Sequence, residues 1–171
     1  TGIACCKAIV PNAPIVGNSI LPTVGILPMI HVKVPPLKCQ GIKTKLVPFI
    51  LSQIQWIEVA RSKWIEPFLG SGVVAFNLAP KRALLTDTNQ HIIAFYQGIQ
   101  NGSIDRKTVC QFLQEQGDHL SIIGADYYYD VRDRFNQFAS PLDFLFLNRA
   151  CFNGLMRFNS SGGFNVPFCR K

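Results

Sequence analysis

The stretch Ile65-Glu-Pro-Phe-Leu-Gly-Ser-Gly72 sets Gly-x-Gly at the end of an apolar run, and Thr86-Asp-Thr-Asn-Gln90 sets an acid after the next such run. A strand that ends in Gly-x-Gly and opens a helix lets a ligand come close to bare backbone. The first turn of that helix presents unpaired N–H groups to polar or negative atoms. An acid at the end of the following strand can accept hydrogen bonds from both hydroxyls of a ribose. Glu66, Phe68, Gly70, Gly72 and Asp87 have this arrangement. It suits two ligand classes, dinucleotides and S-adenosylmethionine, and a Gly turn that merely joins strand to helix is an equal alternative. Residues 70–75 match G-x-G-x-x-A, although Asp87 comes early for the acid of a dinucleotide fold, expected about 20 residues on, and Pro67-Phe68 crowds the turn.

A second stretch with chemical content lies between Arg149 and Phe168, where aromatics, Asn and Arg surround Gly-containing turns. Such side chains on a loop suit a partner rich in hydrogen-bonding edges. The net charge of +7 and a pI near 9.3 lean toward a polyanion. Charged residues make up only 16% of the chain, so the basic character belongs to a globular surface, not a disordered tail. The six cysteines form no C-x-x-C pair, and His31, His91 and His119 are isolated, so no metal ligand set is expected. The cysteines read as reduced thiols of an intracellular, cytoplasmic protein.

The elements that must position these residues follow from periodicity. Residues 1–32 are apolar but broken by Pro11, Pro14, Pro22 and Pro28, which excludes a membrane-spanning helix; they read as a poorly ordered or strand-and-turn extension with no evident role. Helical periodicity covers residues 43–60, with Pro48 bending or delaying it. A short buried strand is expected over 63–69, a helix over 73–78, a second strand over 82–86 and a helix over 89–100. Strand, Gly turn, helix and strand begin a parallel α/β sheet. Three further helices are expected over 104–120, 125–138 and 141–152, before the polar loop.

Three separated stretches, taken together, resemble the Dam-type family of DNA adenine-N6 methyltransferases. They are Pro36-Leu-Lys-Cys-Gln-Gly-Ile-Lys43, the Gly turn with Thr86-Asp-Thr-Asn-Gln90, and residues 128–168, which contain Phe144-Leu-Phe-Leu-Asn-Arg-Ala-Cys-Phe-Asn-Gly-Leu-Met-Arg157. The resemblance covers residues 34–171. It implies an α/β fold: a partial Rossmann-like methyltransferase sheet over 33–103 that binds S-adenosylmethionine, and an inserted helical target-recognition region over 104–171 that ends in a β-hairpin.

The resemblance places the cofactor against Cys39, Lys43, Glu66, Phe68, Gly70 and Gly72, with Asp87 on the ribose. Gln40, Ile42 and Cys39 depart from the family pattern on that wall. It implies double-stranded DNA as the partner. Lys38 and Arg157 would reach guanines, Leu155 and Pro167 a thymine methyl, and Phe152 and Asn153 the step from which an adenine is extruded. Ser160, Ser161, Arg149 and Arg170 are candidates for phosphate. The target would be the family's commonest, GATC.

The family's Asp-Pro-Pro-Tyr motif, which accepts the amine protons and stacks on the flipped base, has no match here; Val34-Pro-Pro-Leu37 is the nearest string. No catalytic residue is therefore assigned. Either a second chain carries that half, or the polypeptide is a fragment, or it is a catalytically inactive DNA-binding module. A nucleotide-dependent oxidoreductase fragment built on residues 70–75 is the reading from another class. An open apolar sheet edge is expected where further strands are lacking.

Overall fold

The computed structural model describes residues 5–6, 31–57, 59 and 61–169. Of the extension expected over 1–32, only residues 5–6 and 31–32 are described, and Arg170 lies outside the described residues. The architecture is α/β: a three-stranded sheet followed by a helical region. Strand β1 (Cys5–Cys6) pairs antiparallel with β3 (Ala83–Thr86), and β2 (Trp64–Glu66) pairs parallel with β3 on its other side. Trp64 stands opposite Ala83 and Glu66 opposite Leu85. Between β2 and β3 runs helix α2 (Val73–Leu78), so the expected strand, Gly turn, helix and strand are all present.

Two expectations need correction. The helix read over 43–60 is a 3-10 turn (Thr44–Leu46) followed by α1 (Val47–Gln53), and Pro48 stands in its first turn. Proline there loses no intrahelical hydrogen bond and its fixed φ suits the helix, so it starts α1 and does not bend it. Strand β2 is not buried. Ile65 is 58% exposed, because β2 is the outer strand of the sheet. Phe49 of α1 and the loop residues Ile57 and Phe68 are also exposed, but none of them stands on a strand of the sheet.

The helices after β3 lie close to their expected places: α3 (Gln90–Gln100), α4 (Arg106–Ile123), α5 (Ala125–Phe138) and α6 (Pro141–Ala150). Side-chain caps fix the starts of α3, α4 and α6. Asn89 accepts from the His91 N–H, Asp105 from Thr108 and Ser140 from Asp143, each satisfying a donor that the first turn leaves unpaired. Helix α6 is the central post, with Phe144, Leu145, Phe146 and Leu147 buried against α3, α4 and α5. Each such side chain stabilises the fold by about 1.5–3 kcal/mol when fully buried. Tyr128, Val131 and Phe135 of α5 and Phe95 of α3 complete this core.

Two polar residues of α6 share its burial. Asp143 is held by a bidentate contact from Arg134, at 2.9 Å from Nε and 2.6 Å from Nη2. Arg134 also donates to Gln116, which accepts from the Tyr127 hydroxyl, so α4, α5 and α6 are tied by one network. An unpaired carboxylate at that depth would be costly.

Candidate cofactor cavity and nucleic-acid interface

The turn between β2 and α2 is built by hydrogen bonds from outside itself. Leu69 donates its N–H to the Thr86 carbonyl, the Thr86 hydroxyl donates to the Pro67 carbonyl, and the Tyr96 hydroxyl donates to the Ser71 carbonyl at 2.6 Å. Gly72 has φ +74°, and a Cβ there would run into the ring of Phe76, so only glycine fits. Asp87 supports the turn from beneath: its carboxylate accepts from the Gly70 N–H and the Asn89 N–H, both at 2.8 Å.

In front of this turn lies an open cavity of about 420 Å³, walled by residues 39–43 on one side and 66–71 on the other. Cys39, Lys43, Glu66, Phe68 and Gly70 of the expected cofactor residues line it together. Gly72 and Asp87 do not; Gly72 shapes the turn, and Asp87 fixes it. Gln40 and Ile42, placed on that wall by the resemblance, line the cavity too, and Trp64 and Gly41 join the lining without having been singled out for it. Phe68 is 81% exposed beside the cavity, an apolar face that the described residues leave uncovered.

The electrostatics of the cavity suit binding more than nucleophilic attack. Burial, reinforced by the nearby Asp87 charge, pushes the Cys39 thiol up to about 11, so it stays protonated near neutrality. Burial also raises the Glu66 carboxyl above its ordinary value, against the opposing effects of the Trp64 hydrogen bond at 3.2 Å, a backbone N–H and the Lys43 charge. The wall thus offers one acid, one ammonium, bare glycine backbone and apolar surface. Among the described residues no group of three or more His, Cys, Asp and Glu could hold a metal ion.

Immediately before the cavity wall stands Lys38, and the structure brings it to the loop after α6. The Asn148 carboxamide accepts from the Lys38 N–H at 2.8 Å and donates to the Lys38 carbonyl at 2.8 Å and the Gly154 carbonyl at 3.2 Å. Gly154 has φ +65°, and a Cβ there would lie 2.6 Å from the Lys38 Cβ, so the two backbones approach as only glycine allows. Phe152 and Asn153 are therefore carried next to Lys38. Phe152 is 49% exposed, and Asn153 is exposed in the left-handed region at φ +52°, which Asn tolerates better than most residues.

The rest of the loop returns to the helices. Where a hairpin is expected, two isolated antiparallel bridges appear, Cys151 to Phe168 and Phe158 to Phe164, without continuous strands. Backbone bonds flank each bridge, from Asn159 to Gly163 and Asn165 to Arg157 at the tip and from Phe152 to Pro167 and Cys169 to Ala150 at the base, and side chains of α5 hold the outer edge of the returning segment. The Asn136 carboxamide donates to the Phe164 carbonyl and accepts from its N–H, and the Tyr128 hydroxyl donates to the Val166 carbonyl at 2.7 Å. His91 stacks on Phe158 with ring centroids 5.1 Å apart. These contacts leave Arg157, Ser160, Ser161 and Pro167 exposed and Leu155 half-buried. Arg149 is exposed on α6 and donates to the Pro36 carbonyl.

Asn136, Asn148 and Asn165 were not singled out from the sequence. The signal for Asn148 is its place directly after Phe144-Leu-Phe-Leu147, where a polar residue must find buried partners.

The sheet and its Gly-turn cavity, with a helical region and fixed polar loop beside them, define an α/β protein. The chain belongs to the D12 class N6 adenine-specific DNA methyltransferase family, whose sequence model matches residues 40–171. It is 35% identical over 156 residues to the type II methyltransferase M.MjaIII of Methanocaldococcus jannaschii, a match that covers 80% of this chain and 52% of that protein. It is 39% identical over 110 residues to a DNA adenine methylase of Vibrio cholerae, covering 61% of this chain and 38% of that one. The DNA N-6-adenine-methyltransferase of Escherichia phage P1 is 37% identical over 123 residues, 70% of this chain and 16% of its own. The chain thus spans about half, or less, of the length of these relatives. Among the described residues no helix is long and apolar enough to cross a membrane.

Proposed function

We propose that this chain is the cofactor-binding and target-recognising part of a cytoplasmic, S-adenosylmethionine-dependent DNA methyltransferase that acts on adenine N6 in duplex DNA, at a GATC-type site. The observation that carries this reading is the contiguity of the two surfaces. Lys38, held by Asn148 against the Phe152–Gly154 turn, is followed directly by the wall of the cavity from Cys39 to Lys43. A methyl donor in the cavity and a base extruded at Phe152 and Asn153 would be neighbours.

The donor set fits the cofactor. Lys43 can meet the carboxylate of its methionine end, and Glu66 can meet its ammonium or a ribose hydroxyl. Gly70 gives bare backbone, and Phe68 an apolar face. Asp87 keeps acceptor capacity beyond the Gly70 and Asn89 bonds for a ribose hydroxyl. The cofactor, when bound, supplies the activated methyl group. The protein's own part is to hold it and the base in register while excluding water. On the DNA side, Arg157 reads a guanine edge, Leu155 and Pro167 meet a thymine methyl, and Ser160, Ser161 and Arg149 meet phosphate.

A second reading is a DNA-binding module without catalysis, which would use the same exposed loop residues and leave the cavity without a cofactor. Calorimetry with S-adenosylmethionine and with NAD separates the possibilities. Preference for S-adenosylmethionine supports the methyltransferase reading, binding of neither supports the module, and preference for NAD overturns both.

A further inference from the structure

The Arg157 guanidinium is not free to rotate. Its Nε–H donates to the Asn165 side-chain oxygen at 2.8 Å, and Nη2 donates to the Asn165 backbone carbonyl at 3.0 Å. The two residues are cross-loop partners, since the Asn165 N–H donates to the Arg157 carbonyl at 3.2 Å. Asn165 is itself fixed by its neighbours: Phe164 and Val166 are buried, and their backbones are tied to Asn136 and Tyr128 of α5. Support thus runs from the helical core through Asn165 to an exposed cation.

A guanidinium carries five N–H donors in a rigid plane. Asn165 uses the fork made by Nε and Nη2, which leaves the Nη1 and Nη2 end, whose parallel donors match the O6 and N7 of guanine. A neutral amide makes this contact without cancelling the charge, whereas a carboxylate in its place would hold the same fork but offset the attraction of the cation for any duplex. Arg132 and Arg134 pair with acids, whereas among the described residues Arg157 has none as a partner.

We propose that Asn165 is a specificity-determining positioning residue, which holds Arg157 by one fork so that the other is preset for a guanine edge. This rests on the reading that Arg157 contacts guanine.

The test uses the 171-residue chain, Asn165→Ala, Asn165→Asp and Arg157→Ala. The free protein comes first: the Arg157 Nε–H should give a slowly exchanging nitrogen-15 resonance in the wild type and in Asn165→Asp, and lose it in Asn165→Ala. A rapidly exchanging Nε–H in the wild type overturns the proposal without any DNA. Titrations follow against a GATC duplex and its single-base variants. Asn165→Ala should lower the ratio of cognate to variant affinity by about five- to tenfold at one base pair, a share of what a bidentate Arg–guanine contact supplies. Asn165→Asp should weaken every duplex alike and keep the ratio. A uniform loss for Asn165→Ala, with the ratio intact, would make Asn165 a phosphate contact only and overturn the proposal. Equal losses on all duplexes for Arg157→Ala would instead overturn the guanine reading itself.

Discussion

The main chain of Lys38 is gripped at both its N–H and its carbonyl by the carboxamide of Asn148, at 2.8 Å each. The side chain thus acts as a one-residue strand, joining two segments that are 110 positions apart. Its second donated bond, to the Gly154 carbonyl, adds the tip of the loop to the same joint. The cavity wall that follows Lys38 and the loop that follows α6 are parts of one rigid arrangement.

Asn148→Ala should therefore destabilise the chain. The Lys38 N–H and carbonyl and the Gly154 carbonyl would lose their partner in a fully buried place. Each group left unsatisfied there costs about 1–3 kcal/mol, less whatever water or relaxation recovers. Asn148→Asp should be worse, because a buried carboxylate would face two carbonyl oxygens with nothing to donate. Urea unfolding with equal slopes measures both, and stability unchanged in Asn148→Ala would refute the joint.

Asp87 is the second test. Asp87→Ala removes the acceptor that holds the Gly70 and Asn89 N–H groups, and a hydrogen bond to a charged partner is worth about 1.5–3 kcal/mol. Weaker binding of S-adenosylmethionine is expected, with a detectable loss of stability in the unliganded chain, since the carboxylate builds the turn before any ligand arrives. Calorimetry and thermal unfolding on the same samples read the two parts. Tight cofactor binding by the variant would remove Asp87 from the site.

Much of this was legible in the sequence, and what was not has physical causes. Residues 73–78 and 125–138 are the helices Val73–Leu78 and Ala125–Phe138, because a Gly turn and the breaks at Gly124 and Ala139 bound clear periodicity. Pro48 was ambiguous, since one residue can open a helix or kink it, and the choice depends on where the first turn falls. The exposure of β2 is a property of strand order, which periodicity does not encode. The hairpin was expected from the family resemblance, while in the structure two separate bridges form and Asn136 and Tyr128 hold the outer edge of the returning segment, contacts from a distant helix that no local pattern encodes. Cys39, Lys43, Glu66, Phe68 and Gly70 were brought to one cavity as expected, but the asparagines that position the site act across separations that no local pattern reveals.

Stability should also depend on pH through His91, whose ring lies against Phe135, Phe144 and Phe158. Burial lowers its pKa below the ordinary 6.5. The unfolded chain then binds more protons than the native one at pH values around and just below 6.5, so native stability rises with pH across that window. It is complete above it and is lost as pH falls and His91 must be protonated. His91→Phe should flatten this slope while keeping the ring contacts. A slope unchanged in the variant would assign it to other groups.

The isolated chain, even with S-adenosylmethionine, should transfer no methyl to DNA, because its 171 residues contain no Asp-Pro-Pro-Tyr to accept the amine protons and stack the base. Labelled methyl incorporated above a protein-free control by the pure chain would mean that another carboxylate, Glu66 being the nearest candidate in the cavity, serves in its place.

Specificity and electrostatics should separate on the recognition surface. Arg157 is exposed on the loop, and its guanidinium is oriented by Asn165, whereas Arg149 projects from α6 with one bond to the Pro36 carbonyl. Arg157→Ala should cost roughly 1–3 kcal/mol on the cognate duplex and relax discrimination at one base pair. Arg149→Ala should weaken all sequences alike and lower the salt slope by about one, as expected when a phosphate contact and its released counterion are lost. On the proposed reading, in which Phe152 and Asn153 meet the opened step, Phe152→Ala and Asn153→Ala should reduce the fluorescence gained by 2-aminopurine at the target adenine more than they reduce binding. Titrations on single-base variants at two salt concentrations, with the fluorescent base in the cognate duplex, read these effects in one series. If Phe152→Ala weakened binding on every duplex and left the fluorescence gain intact, Phe152 would be a groove contact and the extrusion role would pass elsewhere.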